Sequence, residues 1–136
     1  MNSIQEELEE LKAEFDSLPD SFTRYTYLVE LAALLPKTEG LCREERLYRG
    51  CQSQVWLWVR QEGTLCRLST DSDTLIIRGI LALFVALLDG KPADEVCAAR
   101  FDLLDTLGIA EHFNSQRTSG IAGLLPEIQR RLTDGL

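Results

Sequence analysis

Apolar residues Ile4, Leu8, Leu11 and Phe15 recur at steps of four, three and four, which draws a single stripe along a helix. Ser3 and Glu6 form the S-x-x-E capping pattern that opens this helix, and Leu18-Pro19-Asp20 breaks it. A second helix is predicted from about Phe22 to Leu35, carrying Phe22, Tyr25, Leu28, Leu31 and Leu35. Pro36 stops it, and Gly40 follows in a short loop.

The period then changes. Val55-Trp56-Leu57-Trp58-Val59 is β-branched and aromatic on both of its alternating faces, which predicts a central strand covered on both sides. Glu62-Gly63 marks a turn, Thr64 to Ser69 reads as the hairpin partner, and Leu47 to Arg49 as a short edge strand. Asp71-Ser72-Asp73 supplies N-cap residues for a helix over about Thr74 to Leu88. Ile76, Ile77, Ile80, Leu81, Leu83, Phe84 and Leu87 cover most of that helix, so it is expected at the buried centre, with Gly90 closing it. Pro92 opens a short helix near Ala93 to Ala98, and another holds Phe101, Leu104 and Leu107. The last helix is expected over about Ser119 to Leu132, kinked at Pro126 or restarting with Pro126 in its first turn. The expected fold is α+β, a small antiparallel sheet of about three strands packed against several helices, in one domain spanning residues 1–136.

Length and composition agree with that reading. A chain of 136 residues with 45% apolar and 26% charged residues has an ordinary globular makeup. At this size it buries roughly two-thirds of its unfolded surface, enough for a core without staples. Fourteen basic against 22 acidic residues leave a net charge of −8. Such a surface repels phosphate backbones and anionic lipid, so neither nucleic acid nor membrane is expected as a partner. The longest apolar run, Ile80 to Leu88, is too short to cross a bilayer. The acidic stretch Met1 to Glu10 holds no apolar signal-peptide core, which points to the cytoplasm and to unpaired thiols.

Cys42, Cys51, Cys66 and Cys97 are 9, 15 and 31 positions apart, without the close ligand pairs of a structural zinc site. There is no phosphate-binding glycine loop, no HExxH and no GxSxG. Asp71 and Asp73 read as helix caps rather than paired catalytic acids. His112, the only histidine, is either a structural residue or a proton acceptor, and Trp56 and Trp58 are either core or a binding platform. Cys66 and Cys97 fall inside strand and helix patterns, where a thiol packs as a small apolar group. Cys51 differs, because Gly50 precedes it and Gln52-Ser53 follows, in a small polar loop entering an apolar strand. Residue chemistry alone leaves this thiol either reactive or merely a loop residue.

The run Gly50-Cys51-Gln52-Ser53-Gln54-Val55-Trp56 resembles the GCQSxVW motif of the SufE/CsdE family of sulfur acceptors for iron–sulfur cluster assembly. Ser72-Asp73-Thr74-Leu75-Ile76-Ile77-Arg78-Gly79 resembles the family's SDAxIVKG segment. Ser115-Gln116-Arg117-Thr118-Ser119-Gly120 resembles its SxSRxxG-type segment, with His112 upstream where the family often has histidine. Arg46 stands where the family usually has asparagine, and Gln116 replaces the usual proline.

The resemblance implies a fold like that of the family and of scaffold proteins, and a sulfur-transfer accessory protein rather than an enzyme. Cys51 would take persulfide sulfur from a partner cysteine desulfurase, which would itself carry pyridoxal phosphate. It would stimulate that partner and pass the sulfur to an iron–sulfur scaffold or another recipient. The chain would need no cofactor of its own beyond the transient persulfide. Arg117 would stabilise the thiolate, His112 would accept a proton, and Gly50, Gln52 and Ser53 would shape the partner-facing loop. Trp56 and Trp58 are expected to wall the cysteine. Two alternatives remain at this point. One is a thiol-dependent enzyme using Cys51 and His112. The other is a metal or cluster scaffold drawing ligands from Cys42, Cys51, Cys66, Cys97 and His112.

Overall fold

The computed structural model describes residues 2–134, so the ends of the 1–136 span lie outside the described residues. Helix α1 (Ile4–Asp16) starts at the expected capping box, in which the Ser3 side chain accepts from Glu6 and the Glu6 side chain accepts from Ser3. Helix α2 (Ser21–Leu31) is shorter than its apolar pattern and passes into a 3₁₀ turn at Ala32–Leu34. Leu35 is already extended at φ −71° and ψ 118°, because the ring of Pro36 disfavours the helical region for the residue before it.

Two of the expected core residues of α2 stand outside. Phe22 is 78% exposed and Tyr25 39%. The helix meets its neighbour through Leu28, whose main chain lies where a Cβ on Gly79 would be. This close seam buries one short stretch of α2 and leaves its first turn in solvent.

Three strands follow, β1 (Leu47–Tyr48), β2 (Val55–Glu62) and β3 (Leu65–Ser72), in antiparallel order β1-β2-β3. Glu62 pairs with Leu65 across Gly63 and Thr64, and Gly63 takes the left-handed angle, φ 63°, that a two-residue hairpin turn demands. Tyr48 pairs with Val55, which in turn pairs with Ser72, so these side chains share a face with Leu57 and Thr70. That face is the core face. Its two buried hydroxyls are satisfied, since Thr70 donates to the Trp56 carbonyl at 2.7 Å and Ser72 to the Gln54 carbonyl at 2.6 Å.

The expectation that β2 is covered on both sides is not met. Trp56 and Trp58 lie on the outer face and are half-buried. Over Trp58 the guanidinium carbons of Arg46 and Arg60 lie 3.8 and 4.0 Å from the ring centre, which supplies the cover that a helix would otherwise give. The tryptophans therefore wall the outside of the sheet rather than Cys51.

Helix α3 (Leu75–Leu88) packs on the core face and buries Ile76, Ile77, Ile80, Leu81, Leu83, Phe84, Leu87 and Leu88. Each such side chain contributes roughly 1.5–3 kcal/mol. Its N-cap is Thr74, without a side-chain capping bond. The expected caps act elsewhere: Asp71 ends in β3 and pairs with Arg78 at 3.0 Å, and Asp73 bonds the Gln54 amide at 3.1 Å. Partners brought in by the fold displace the local cap. After α3, Gly90 turns at φ 80° and the chain doubles back along β3, with Gly90 N donating to the Cys66 carbonyl at 2.8 Å. Asp89 accepts from Leu68 N at 2.9 Å, closing that edge.

The remaining helices are α4 (Ala93–Ala98), α5 (Leu103–Leu107), α6 (Ser115–Ala122) and α7 (Leu124–Asp134). The long terminal helix expected from Ser119 is thus two helices broken at Gly123, and Pro126 falls in the first turn of the second, one of the two expected outcomes. From α7, Arg131 donates to the carbonyls of Arg46, Leu47 and Leu57 at 3.0, 3.0 and 2.8 Å while held by Glu127 at 2.6 Å. One guanidinium therefore continues the ladder where β1 stops pairing with β2.

Two outcomes follow from this packing. Gly79→Ala drives a methyl into the Leu28 carbonyl and lowers stability by roughly 2–3 kcal/mol in urea unfolding, despite alanine's advantage of about 1 kcal/mol within a helix. Burial, then the Asp89 charge, pushes the Cys66 thiol up to about 11 from 9.0. A raised pKa means that the unfolded chain releases this proton first. The stability difference between wild type and Cys66→Ala is therefore constant below pH 9.0 and shrinks as pH rises toward about 11, measured by unfolding at stepped pH.

Candidate functional site

Cys51 lies in the segment joining β1 to β2 and is half-buried against the core. Tyr48, at the end of β1, turns inward and donates its hydroxyl to the Gly120 carbonyl of α6 at 2.8 Å. A side chain on Gly50 or Gly123 would overlap that hydroxyl. A Cβ on Gly120 would sit 2.8 Å from the Gly50 carbonyl oxygen and 3.1 Å from the Cys51 sulfur. The cysteine loop and α6 thus touch through main chain and thiol, a spacing only glycine permits. Burial, and then the negative charge of a Cys51 thiolate, hold the Tyr48 hydroxyl above its ordinary pKa. Those two groups are therefore electrostatic neighbours.

Each remaining residue of the loop is tied by a side chain. Gln52 donates to the Gln116 side chain of α6. Ser53, 7% exposed, accepts from the Thr74 hydroxyl at 2.8 Å. Gln54 is held through its amide by Asp73 and through its carbonyl by Ser72. Gly50, Cys51, Gln52 and Ser53 are therefore brought together with α6 and the start of α3.

Arg117 lies on α6 one turn before Gly120 and is half-buried. Among the described residues its guanidinium has no ion-pair or hydrogen-bond partner. His112 is oriented otherwise. Its ring meets Tyr25 edge-on with centroids 5.4 Å apart, and its buried Nε2 has no hydrogen-bond partner among the described residues. No hydrogen bond therefore links His112 to Cys51, and the pair that a thiol-dependent enzyme requires is not formed in this structure.

The other thiols are dispersed. Cys66 is fully buried, Cys97 lies 3.7 Å from the Thr133 hydroxyl, and Cys42 is exposed. Burial, followed by the Asp71 charge, raises the Cys42 thiol. Among the described residues no three His, Cys, Asp or Glu side chains converge as metal ligands, so the ligand set of a scaffold is not assembled. No described helix is long and apolar enough to cross a membrane.

Tyr48, Gln116, Gly120 and Gly123 escaped sequence reasoning as site residues. An isolated glycine inside a helical pattern usually has a packing reason, and Gly120 carried that signal. Tyr48 carried none, because an inward-facing tyrosine at a strand end is ordinary core.

The profile of the family described as SufE, Fe-S metabolism associated domain, matches residues 9–132. Curated relatives include an uncharacterized SufE-like protein of Rhizobium etli, 34% identical over 128 residues, covering 90% of this chain and 86% of the relative. Another, from Rhizobium meliloti, is 34% identical over 130 residues, covering 90% of this chain and 91% of its own length. Among solved structures, that of a hypothetical protein from Thermus thermophilus superposes with a TM-score of 0.76 at 23% identity, covering 93% of both chains. That likeness confirms the α+β fold.

The glycine seam makes a direct prediction. Gly120→Ala dislodges Cys51, so iodoacetamide at neutral pH labels Cys51 severalfold faster than in wild type, read by peptide mass spectrometry. Cys66 stays unlabelled in both proteins until they unfold.

Proposed function

Since this chain belongs to the SufE family of Fe–S metabolism, we propose that it is a sulfur carrier whose Cys51 accepts persulfide sulfur from a partner cysteine desulfurase. The Cys51 thiolate attacks the outer sulfur of the partner's persulfide. The partner's sulfur–sulfur bond breaks, its cysteine leaves as a thiolate, and Cys51 carries the added sulfur as a persulfide. The same exchange with a scaffold or another recipient thiol passes the sulfur on. No redox equivalent is consumed at either step. The desulfurase is stimulated because its cysteine returns as a free thiolate, so this chain acts as an accessory protein with no cofactor of its own.

One observation carries this reading. Cys51 sits half-buried against Gly120 in a segment whose ties to the body are largely side-chain bonds, Gln52 to Gln116, Thr74 to Ser53 and Asp73 to Gln54. Such a segment can leave its seat without unzipping the sheet, so the thiol can reach a partner and then return to shelter from reductants. A free thiol is mostly protonated at neutral pH, and a nearby cation favours the attacking form. Arg117, on the same helix as Gly120 and without an ion-pair partner among the described residues, is the residue proposed for that role. His112 would accept the proton only after turning away from Tyr25.

Incubation with a cysteine desulfurase and L-cysteine is expected to add the mass of one sulfur atom to the peptide containing Cys51. Cys51→Ser abolishes the adduct, whereas Cys42→Ser and Cys97→Ser retain it. Arg117→Ala slows its formation by roughly tenfold, and Arg117→Lys recovers part of the rate. An adduct that persists in Cys51→Ser overturns the assignment.

A further inference from the structure

The outer face of the sheet bears a cationic cluster that the sulfur chemistry does not use. Arg46, just before β1, and Arg60, on β2, both stack on Trp58 at 3.8 and 4.0 Å. Neither guanidinium has a carboxylate partner among the described residues. Arg46 donates to the Gly40 carbonyl, while Arg60 donates to the Trp58 carbonyl and the Ser69 hydroxyl, each at 3.2 Å. In a chain of net charge −8, two half-buried arginines over one tryptophan ring, neither in contact with a carboxylate among the described residues, form a local cationic patch. Burial makes the Arg60 charge costly; Asp89 and Glu62 offset part of this, and Arg67 and Arg46 add to it. A carboxylate arriving from outside would relieve the burial and the mutual repulsion together.

The cluster is also shaped for such a ligand. Each guanidinium lies over the Trp58 ring and keeps N–H groups that the bonds above do not use, and a guanidinium can chelate a carboxylate through a pair of such N–H groups. Beside Trp58, along the Arg46 side and not lined by Arg60, runs a groove of about 340 Å³ whose walls also include Arg130, Arg131, Glu45 and Asp134. Asp134 is already taken by Arg130 at 3.1 Å. Glu45 is exposed and ion-pairs with neither arginine.

We propose that the outer sheet face around Arg46, Trp58 and Arg60 docks an extended, carboxylate-rich segment of a partner protein. Charge complementarity favours such a segment here, where two guanidinium groups without carboxylate partners among the described residues lie over one ring. The patch lies on the face opposite to Tyr48 and Val55, which border the Cys51 seat. An acidic partner can therefore be held while Cys51 is engaged elsewhere. Neither this docking surface nor its test depends on the sulfur-carrier reading.

The test is titration of the full chain with a hexaglutamate peptide, following the two tryptophan indole N–H signals by NMR. The expected result is a saturable shift of Trp58 larger than that of Trp56, suppressed by high salt. The double variant Arg46→Gln/Arg60→Gln, checked for an unchanged far-ultraviolet spectrum, binds about tenfold more weakly. The charge-conserving double variant Arg46→Lys/Arg60→Lys also weakens binding, because a lysine ammonium has no planar pair of N–H groups to chelate a carboxylate. The proposal is overturned if hexaglutamate shifts neither signal, or if the Gln variant binds as well as wild type. It is overturned equally if oligothymidine binds this face more tightly than the peptide, which would assign the patch to nucleic acid.

Discussion

The hydrogen bond from the Tyr48 hydroxyl to the Gly120 carbonyl is the contact on which the placement of Cys51 depends. It is made in a space that exists only because positions 50 and 123 lack side chains. Three effects follow from it. Helix α6 is drawn onto the cysteine loop until the sulfur lies against Gly120. The helix breaks at Gly123 rather than running on. That break lets α7 take the course that delivers Arg131 to the carbonyls of Arg46, Leu47 and Leu57. The seat of the thiol and the start of the helix that closes the sheet edge thus meet at one packing contact.

The molecule separates what must be rigid from what must be free. The core face of the sheet, with α3 across it, is apolar and satisfied in its buried hydroxyls. The cysteine segment borders that core but is joined to it chiefly by side-chain bonds, each worth on the order of 1 kcal/mol. Such ties are individually small beside the stability of a domain, so the loop opening that the proposed carrier role calls for would be a local event rather than an unfolding one. The outer face of the sheet follows other rules. Arginines stacked on Trp58 cover it, and its charge opposes that of the chain as a whole.

Elements defined by neighbours in sequence are legible from the chain. The Ser3 and Glu6 box, the Gly63 turn, the apolar breadth of α3, Gly90 and Pro126 each act through residues within one or two turns, and each behaves as its local chemistry requires. Elements defined by distant partners depart from the local pattern. Asp71 and Asp73 are good caps by type, but Arg78 and the Gln54 amide compete for them. Phe22 and Tyr25 fit an apolar stripe, yet the seam between α2 and α3 closes on Leu28 and Gly79 and leaves them outside. Trp56 and Trp58 look like core, but a strand pattern does not say which face meets the helices.

The candidate site divides along the same line. The chain by itself determined the α+β class, the order of the strands and of the earlier helices, and the singling out of Cys51, because Gly50-Cys51-Gln52-Ser53 is a contiguous signature. Only the tertiary structure decided what surrounds the thiol. It brought Tyr48, Gln116 and Gly120 to the loop, turned His112 toward Tyr25, and left Arg46 and Arg60 on the opposite face without carboxylates. The contacts at the cysteine loop and at His112 depend on close approach between segments far apart in the chain, as in the 72 positions from Tyr48 to Gly120. Periodicity and capping are governed within a few residues, whereas steric fit across a core exists only once the chain has folded.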